Sequence, residues 1–308
     1  MSQPAQATAA NVADATLAAA IARLARTASI EINVHDAGHV PAARAFLAPG
    51  TRIYVSFLPK QGWEDTLAAA RAVRAAGFEP VPHVPARRVS DAATLDRNLG
   101  RLVEAAQVRE LLLISGDYPQ AQGPYSEVLQ VMRSGVLAKH GIRRLSVAGH
   151  PEGHPAVALE VIRQAELDKA ALGAGQGLDV SLLTQVVFEH APFLQWAAGL
   201  RARGVCARIV AGLAGPASIA TLFRFAVRCG AGPSIRALGV RPGSLVKLLG
   251  DRGPEDVVRG LAEAGARGAT DCDGIHLFCF GGFLRSAEWL HRVANGRFQL
   301  DDKASFRV

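Results

Sequence analysis

Short apolar runs alternate along this chain with longer stretches whose apolar positions recur at helical spacing. Ser29–Val34 reads as a strand, followed by a helix over Val40–Leu47. Arg52–Leu58 (RIYVSFL) is β-branched and aromatic, as strands are. Trp63–Ala76 has helical spacing and stops at Gly77. Pro80–Val84 reads as an irregular strand, and Asp91–Ala106 as a helix capped by Asp91. Leu111–Ser115 (LLLIS) is too short for a helix and suits a strand buried on both faces. A helix over Ser126–His140, a strand over Arg144–Ala148 and a helix over Ala156–Leu172 follow, then a flexible join, GAGQG. The alternation continues with strand Val180–Phe188, helix Ala191–Arg203, strand Ala207–Leu213 and helix Ser218–Cys229. Ser234–Gly250 reads as a helical insertion. Helix Glu255–Ala266, strand Gly274–Phe280 and helix Arg285–Ala294 close the series.

Eight strands, each followed by a helical pattern, predict a (β/α)8 barrel rather than an open sheet. The expected organisation is a lead-in helix within residues 1–27, a barrel over 28–298 and a tail over 299–308. Barrel chemistry collects where strands end and loops begin, at the C-terminal rim. Those ends carry Glu31 or Asn33, Ser56, His83, Gly116–Asp117, His150 with His154, Gln185 and Gly212.

Composition narrows the function classes. The 308 residues are 49% hydrophobic and 20% charged, as a soluble globular chain is, and no apolar run approaches a membrane span. No secretory signal is visible, so a cytoplasmic location is expected. The net charge of +7 is mostly arginine spread along the chain, with five lysines and no basic run interleaved with aromatics. That argues for an anionic small ligand over nucleic acid. Cys206, Cys229, Cys272 and Cys279 form no CxxC pair and read as scattered thiols.

Four features carry candidate chemistry. His150-x-x-x-His154 with Glu152 invites a metal, but Pro151 and Pro155 deny the helix that would aim both imidazoles one way, so no metal is expected. GAGQG follows a helix and precedes a strand, the reverse of the order a dinucleotide phosphate needs. Glu31 lies between Ile30 and Ile32; in an apolar barrel its pKa would rise and suit it to donate a proton, the alternative being a salt-bridged strand end. Asp117 is either a helix cap or a ligand-holding carboxylate, and Gln185 is a polar group on a buried strand that needs a partner.

Taken in order, these segments resemble the methylenetetrahydrofolate reductase family in its bacterial single-domain form, from about Ser29 to Glu288. Ser29-Ile-Glu31 resembles the family's S-x-E, Pro82-His83 its P-H, and Gly116-Asp117-x-Pro119 its R-G-D-x-P, with Tyr125-Ser126 following. His150-Pro-Glu-Gly-His154-Pro resembles its Y-P-E-x-H-P, Leu183-Thr-Gln185 with Phe188 its I-T-Q-x-x-F, and Gly212 to Phe225 its P-G-I-x-P…F segment.

The resemblance implies a barrel that holds FAD, takes electrons from NADH or NADPH and interconverts 5,10-methylenetetrahydrofolate and 5-methyltetrahydrofolate in one-carbon metabolism. It implies tetrahydrofolate derivatives as partners, a homo-oligomer, and Glu31 and Asp117 as catalytic residues. Ser56, His83, Ser115, Gly116, Asp117, Tyr125, Ser126, His150, His154 and Lys169 would line the cofactor; Gln185, Thr221, Phe225 and Arg285 would hold the substrate. The departures fall mostly on the cofactor side. Ser115 stands where the family has arginine, His150 where it has tyrosine, and Thr221 where it has glutamine. Retained folate chemistry with altered flavin binding fits that distribution. A non-redox folate-binding or methyltransferase-accessory barrel is the alternative, followed by a metal-dependent lyase or hydrolase on the two histidines.

Overall fold

The structure, a computed structural model, describes residues 3–116, 118–228, 251–268, 271–302 and 304–308. Its strands in chain order are β1 (Ser29–Ile32), β2 (Arg52–Val55), β3 (Glu79–Pro85), β4 (Glu110–Ile114), β5 (Arg144–Gly149), β6 (Asp179–Val187) and β7 (Arg208–Ala214). The pair β8 (Ala217–Ser218) and β9 (Asp251–Arg252) comes next, then β10 (Gly274–Phe278), β11 (Gln299–Leu300) and β12 (Phe306–Arg307). Strands β1 to β7 and β10 pair in parallel and close into an eight-stranded barrel, β10 lying between β7 and β1. The (β/α)8 fold expected from the alternation is therefore the fold observed.

The helices are α1 (Gln3–Arg26), α2 (Trp63–Ala75), α3 (Ala92–Ala106), α4 (Val128–Arg133), α5 (Val136–Lys139), α6 (Leu159–Gly175), α7 (His190–Ala202), α8 (Ile219–Arg228), α9 (Glu255–Ala266) and α10 (Phe283–Ala294). Asp91 caps α3 as expected, its carboxylate accepting the Thr94 amide. Three expectations need correction. Val34–Ala45 is a 3₁₀ helix rather than an α-helix over Val40–Leu47, and Asn33 starts it through a reciprocal cap with Asp36. Ser126–His140 is broken into α4 and α5 at Gly135, whose φ of 77° no α-helix accommodates. Of GAGQG, Gly173 and Gly175 belong to α6, and the join to β6 is shortened to a turn at Gly177, φ 66°. The expected insertion over Ser234–Gly250, Asp117 and Cys229 lie outside the described residues.

Two packed regions follow from the period of two along each strand. Ile30, Ile32, Ile53, Val55, Leu111, Leu113, Val147 and Leu182 face outward and meet the helices in one continuous core. The alternate positions face the barrel axis, where Tyr54, Val81, Leu112, Leu183 and Val210 pack together. Below them Tyr54 Oη meets Ser146 Oγ at 2.8 Å, and Ser146 Oγ meets Ser181 Oγ at 2.8 Å, a polar crossing from β2 to β6. Glu110 sits under it with Arg52 and Arg144, filling the N-terminal end with paired charge. The interior is thus plugged from below, and only its C-terminal mouth is left to receive a ligand.

Candidate active site at the barrel mouth

Glu31 is held at the end of β1 by two imidazoles. Its Oε2 lies 3.2 Å from His83 Nε2 on β3 and 3.8 Å from His276 Nε2 on β10. All three atoms are sealed from solvent, and none completes a hydrogen bond of good geometry with another group. The Glu31 side chain keeps 17% exposure, so the part of it that opens to the mouth is not Oε2. His276 is wholly buried; Ser29 Oγ contacts its Nδ1 at 2.8 Å, and the rings of Tyr54 and Phe278 stand edge-on to it.

These neighbours reverse the charge expected for Glu31. Burial raises its pKa, but the two imidazoles facing the carboxylate, His83 foremost, outweigh burial and bring it down to about 2. Glu31 is thus an ionised carboxylate near neutral pH, not a protonated acid kept neutral by an apolar wall. For His276 the balance goes the other way: burial lowers its pKa and Glu31 only partly restores it.

The second group lies at the end of β5. On α6, Arg163, Glu166 and Lys169 recur every three residues and face the strand end. Glu166 is wholly buried and accepts from the His150 amide at 2.8 Å, from Arg163 at 3.0 Å and from Trp196 Nε1 at 3.0 Å. Arg163 also donates to the carbonyls of His150 and Pro151, and Lys169 Nζ donates to that of Ala148. Gly149 is required here: a Cβ would come within 2.7 Å of the Trp196 ring. The imidazoles of His150 and His154 stand edge to face with centroids 5.9 Å apart. Burial first, then Lys169, His154 and Arg163, push the His150 pKa down to about 4, so the ring is neutral.

The other expected site residues are placed less simply. Ser56 donates its hydroxyl to the Ile32 carbonyl and so fastens β2 to β1. Gly116 turns at φ 90° against Pro85, and the Ser115 carbonyl accepts the Arg87 amide. Tyr125 packs into the outer core, and Ser126 shares Gln130 Oε1 with Glu127 at the start of α4. Arg87 bonds the carbonyls of Ser126 and Tyr118 from β3's side. Gln185 lies where the β6–β7 register shifts, and its Oε1 accepts the Val186 amide. Thr221 accepts from Ser218 Oγ in a local turn that opens α8. Arg285 is exposed in the first turn of α10. Phe225 lies on α8, but its side chain, like Asp117, is outside the described residues.

One side of the mouth is apolar. Val186, Ala214, Ala217 and Leu222 cluster with Phe188, Phe223, Phe278 and Phe280, and the last two rings stack at 5.8 Å. Among the described residues no set of three or more His, Cys, Asp or Glu side chains is arranged to ligate a metal ion. No described helix is long and apolar enough to cross a membrane.

The sequence reading missed His276, Ser29's role beside it, and Glu166. His276 was visible in principle. In Ile275-His276-Leu277 a histidine alternates with outward aliphatics, so on a barrel strand it must face the axis, as Glu31 does between two isoleucines. Glu166 had no such signal, because its strand partner is a backbone amide.

No protein-family model matches this chain. Among solved structures it is similar to dihydropteroate synthase from Thermus thermophilus, at 12% identity and a TM-score of 0.46, over 85% of this chain and 92% of that one. It is also similar to OMP decarboxylase from Leishmania donovani, at 12% identity and a TM-score of 0.36, over 71% and 93%. Likenesses this remote concern the barrel alone.

Proposed function

We propose that this chain is a flavin-dependent reductase that interconverts 5,10-methylenetetrahydrofolate and 5-methyltetrahydrofolate, with NADH or NADPH as the electron source. The observation that carries the reading is the ionised Glu31 paired with His83 at the mouth, beside the stacked Phe278 and Phe280. These are the S-x-E and P-H segments of the family resemblance, and the fold brings them within 3.2 Å of one another.

The residues fit the flavin's ring and hydroxyl-bearing parts. His83 Nε2 is a buried polar atom with bonding capacity left over, and the neutral His150 ring and the turn at Gly116 offer uncharged contacts. When bound, FAD supplies the hydride that NADH or NADPH has delivered. The chain's own residues manage charge and protons. Glu31 stabilises the cationic iminium form of the opened folate, and its carboxylate passes on the proton that opening requires. Gln185 offers an amide to the edge of the pterin, and the phenylalanine wall keeps water from its face.

A non-redox folate-binding barrel is favoured by one observation. Lys169 and Arg163, the cations nearest the His150 loop, are spent on the carbonyls of Ala148, His150 and Pro151, and Ser115 adds no charge for a diphosphate. The experiment is an absorption spectrum of the purified chain after incubation with FAD, followed by turnover with NADH or NADPH and methylenetetrahydrofolate. Flavin absorption with turnover supports the reductase; folate binding without either supports the accessory barrel. In a reductase, Glu31→Gln should leave flavin reduction by NADH or NADPH intact and lower folate turnover by about 10²–10⁴-fold. Equal loss of both half-reactions would make Glu31 structural.

A further inference from the structure

We propose that Ser29, His276 and Glu31 form a buried relay in which the Ser29 hydroxyl fixes the tautomer of His276, so that His276 presents its Nε2 proton to the Glu31 carboxylate at the mouth. His276 cannot touch a substrate, being wholly buried beneath Phe278, so it is a positioning residue acting through Glu31. Its role as part of a catalytic site rests on the reductase reading above; the relay itself does not.

The argument is about which nitrogen carries the proton. Ser29 Oγ and His276 Nδ1 are 2.8 Å apart, and either could donate. If Nδ1 carries the proton, Nε2 presents a lone pair to the Glu31 carboxylate across 3.8 Å in a sealed interior. Two acceptors facing one another without solvent is a costly arrangement. If Ser29 donates instead, Nε2 carries the proton and turns it toward Oε2 at 3.8 Å, beyond hydrogen-bond length but an attraction in place of a repulsion. The bonds from β1 to β10 put both ends of this relay in register: Ser29 pairs with His276 across the strands, and Glu31 lies two residues further along β1 on the same inward face.

Other charges around His276 do not replace Glu31. From β2, Arg52 and Tyr54 face it; Arg52 is an opposing positive charge already paired to Glu110, and Tyr54 Oη is spent on Ser146 and Glu110. From β3, His83 faces the same carboxylate and also disfavours a second positive charge. From β10 itself comes only the Phe278 ring. Glu31 is therefore the one acceptor among these groups placed to take the Nε2 proton.

Long-range proton–nitrogen NMR of the full chain labelled at histidine tests this, with His276→Gln assigning the resonance. His276 should be neutral and protonated at Nε2 from pH 6 to 8, a pattern that Ser29→Thr keeps and Ser29→Ala converts to a mixture of tautomers. A proton on Nδ1, or free titration near the ordinary imidazole value, would overturn the relay. Kinetics give the second readout. Ser29→Ala should lower kcat for methylenetetrahydrofolate about tenfold at unchanged KM and move the acid limb of its pH profile upward by about one unit, the worth of one hydrogen bond to a charge. Flavin reduction by NADH or NADPH should not change. Wild-type protein without reductase activity would sink the reading of the function, while the tautomer would still decide the relay. An unshifted profile in an active Ser29→Ala enzyme would remove His276 from the catalytic machinery.

Discussion

His150 shows how one residue's surroundings set the response of the molecule to acid. Burial and three cationic or imidazole neighbours hold its pKa at about 4, below the ordinary value of 6.5. The unfolded chain therefore takes up this proton below pH 6.5, while the folded chain refuses it until about pH 4. Stability from this group is complete above pH 6.5 and is lost as pH falls toward 4, by roughly 3 kcal/mol at most. His150→Gln should flatten that part of the profile. Denaturant melts between pH 7.5 and 4.5 would show it, and an unchanged slope in the variant would place the acid sensitivity elsewhere. Glu31 acts in a lower window: its contribution is complete above pH 4.5 and is lost progressively as pH falls from there toward about 2. The residue scale is also where sequence reading went furthest wrong. Glu31 was found from its place between two isoleucines, but its charge depends on His83 and His276, which lie 52 and 245 positions away and arrive only through barrel closure.

At the scale of elements, α6 is a clamp on the end of β5. Arg163, Glu166 and Lys169 lie on one face by their spacing and between them satisfy four backbone groups from Ala148 to Pro151. Removing the Glu166 carboxylate would strand the His150 amide, the Trp196 N–H and the Arg163 charge in a dry place. Glu166→Ala should therefore cost about 3 kcal/mol or more. It should also raise amide exchange at residues 150–154 well above that of the neighbouring strands. A loss near zero, or exchange confined to α6, would mean the clamp does not hold the loop. The strand and helix pattern was readable because each element announces itself locally: α9 was found at its full length, and α3 with its cap. The failures were local too, at Gly135, where one glycine divides a helix, and at Asn33, whose cap starts a 3₁₀ turn early.

At the scale of the whole molecule, barrel closure depends on the seam between β10 and β1, which has only the register pairs Ser29 with His276 and Ile30 with Leu277. The N-terminal helix α1 covers this seam from outside. Ile21, Ala22, Ala25 and Ala28 are buried, Leu17 and Leu24 pack against the same core, and Arg26 donates to the Ala294 carbonyl at the end of α10. A fully buried side chain of the size of Ile21 contributes about 1.5–3 kcal/mol. Deleting residues 1–27 would expose the apolar faces of α9 and α10 and leave β1 without its outer support. Stability should fall by several kcal/mol. The loss should not be uniform: amide protection at Ile30 and Leu277 should drop more than at Val147 and Leu182 across the barrel. The Ser29–His276 contact sits on this seam, so the truncated chain should also lose the single tautomer of His276. A truncation that melts cooperatively with that tautomer intact would show that the seam closes without α1. In that case the lead-in helix would be an appendage to the barrel rather than a structural part of it.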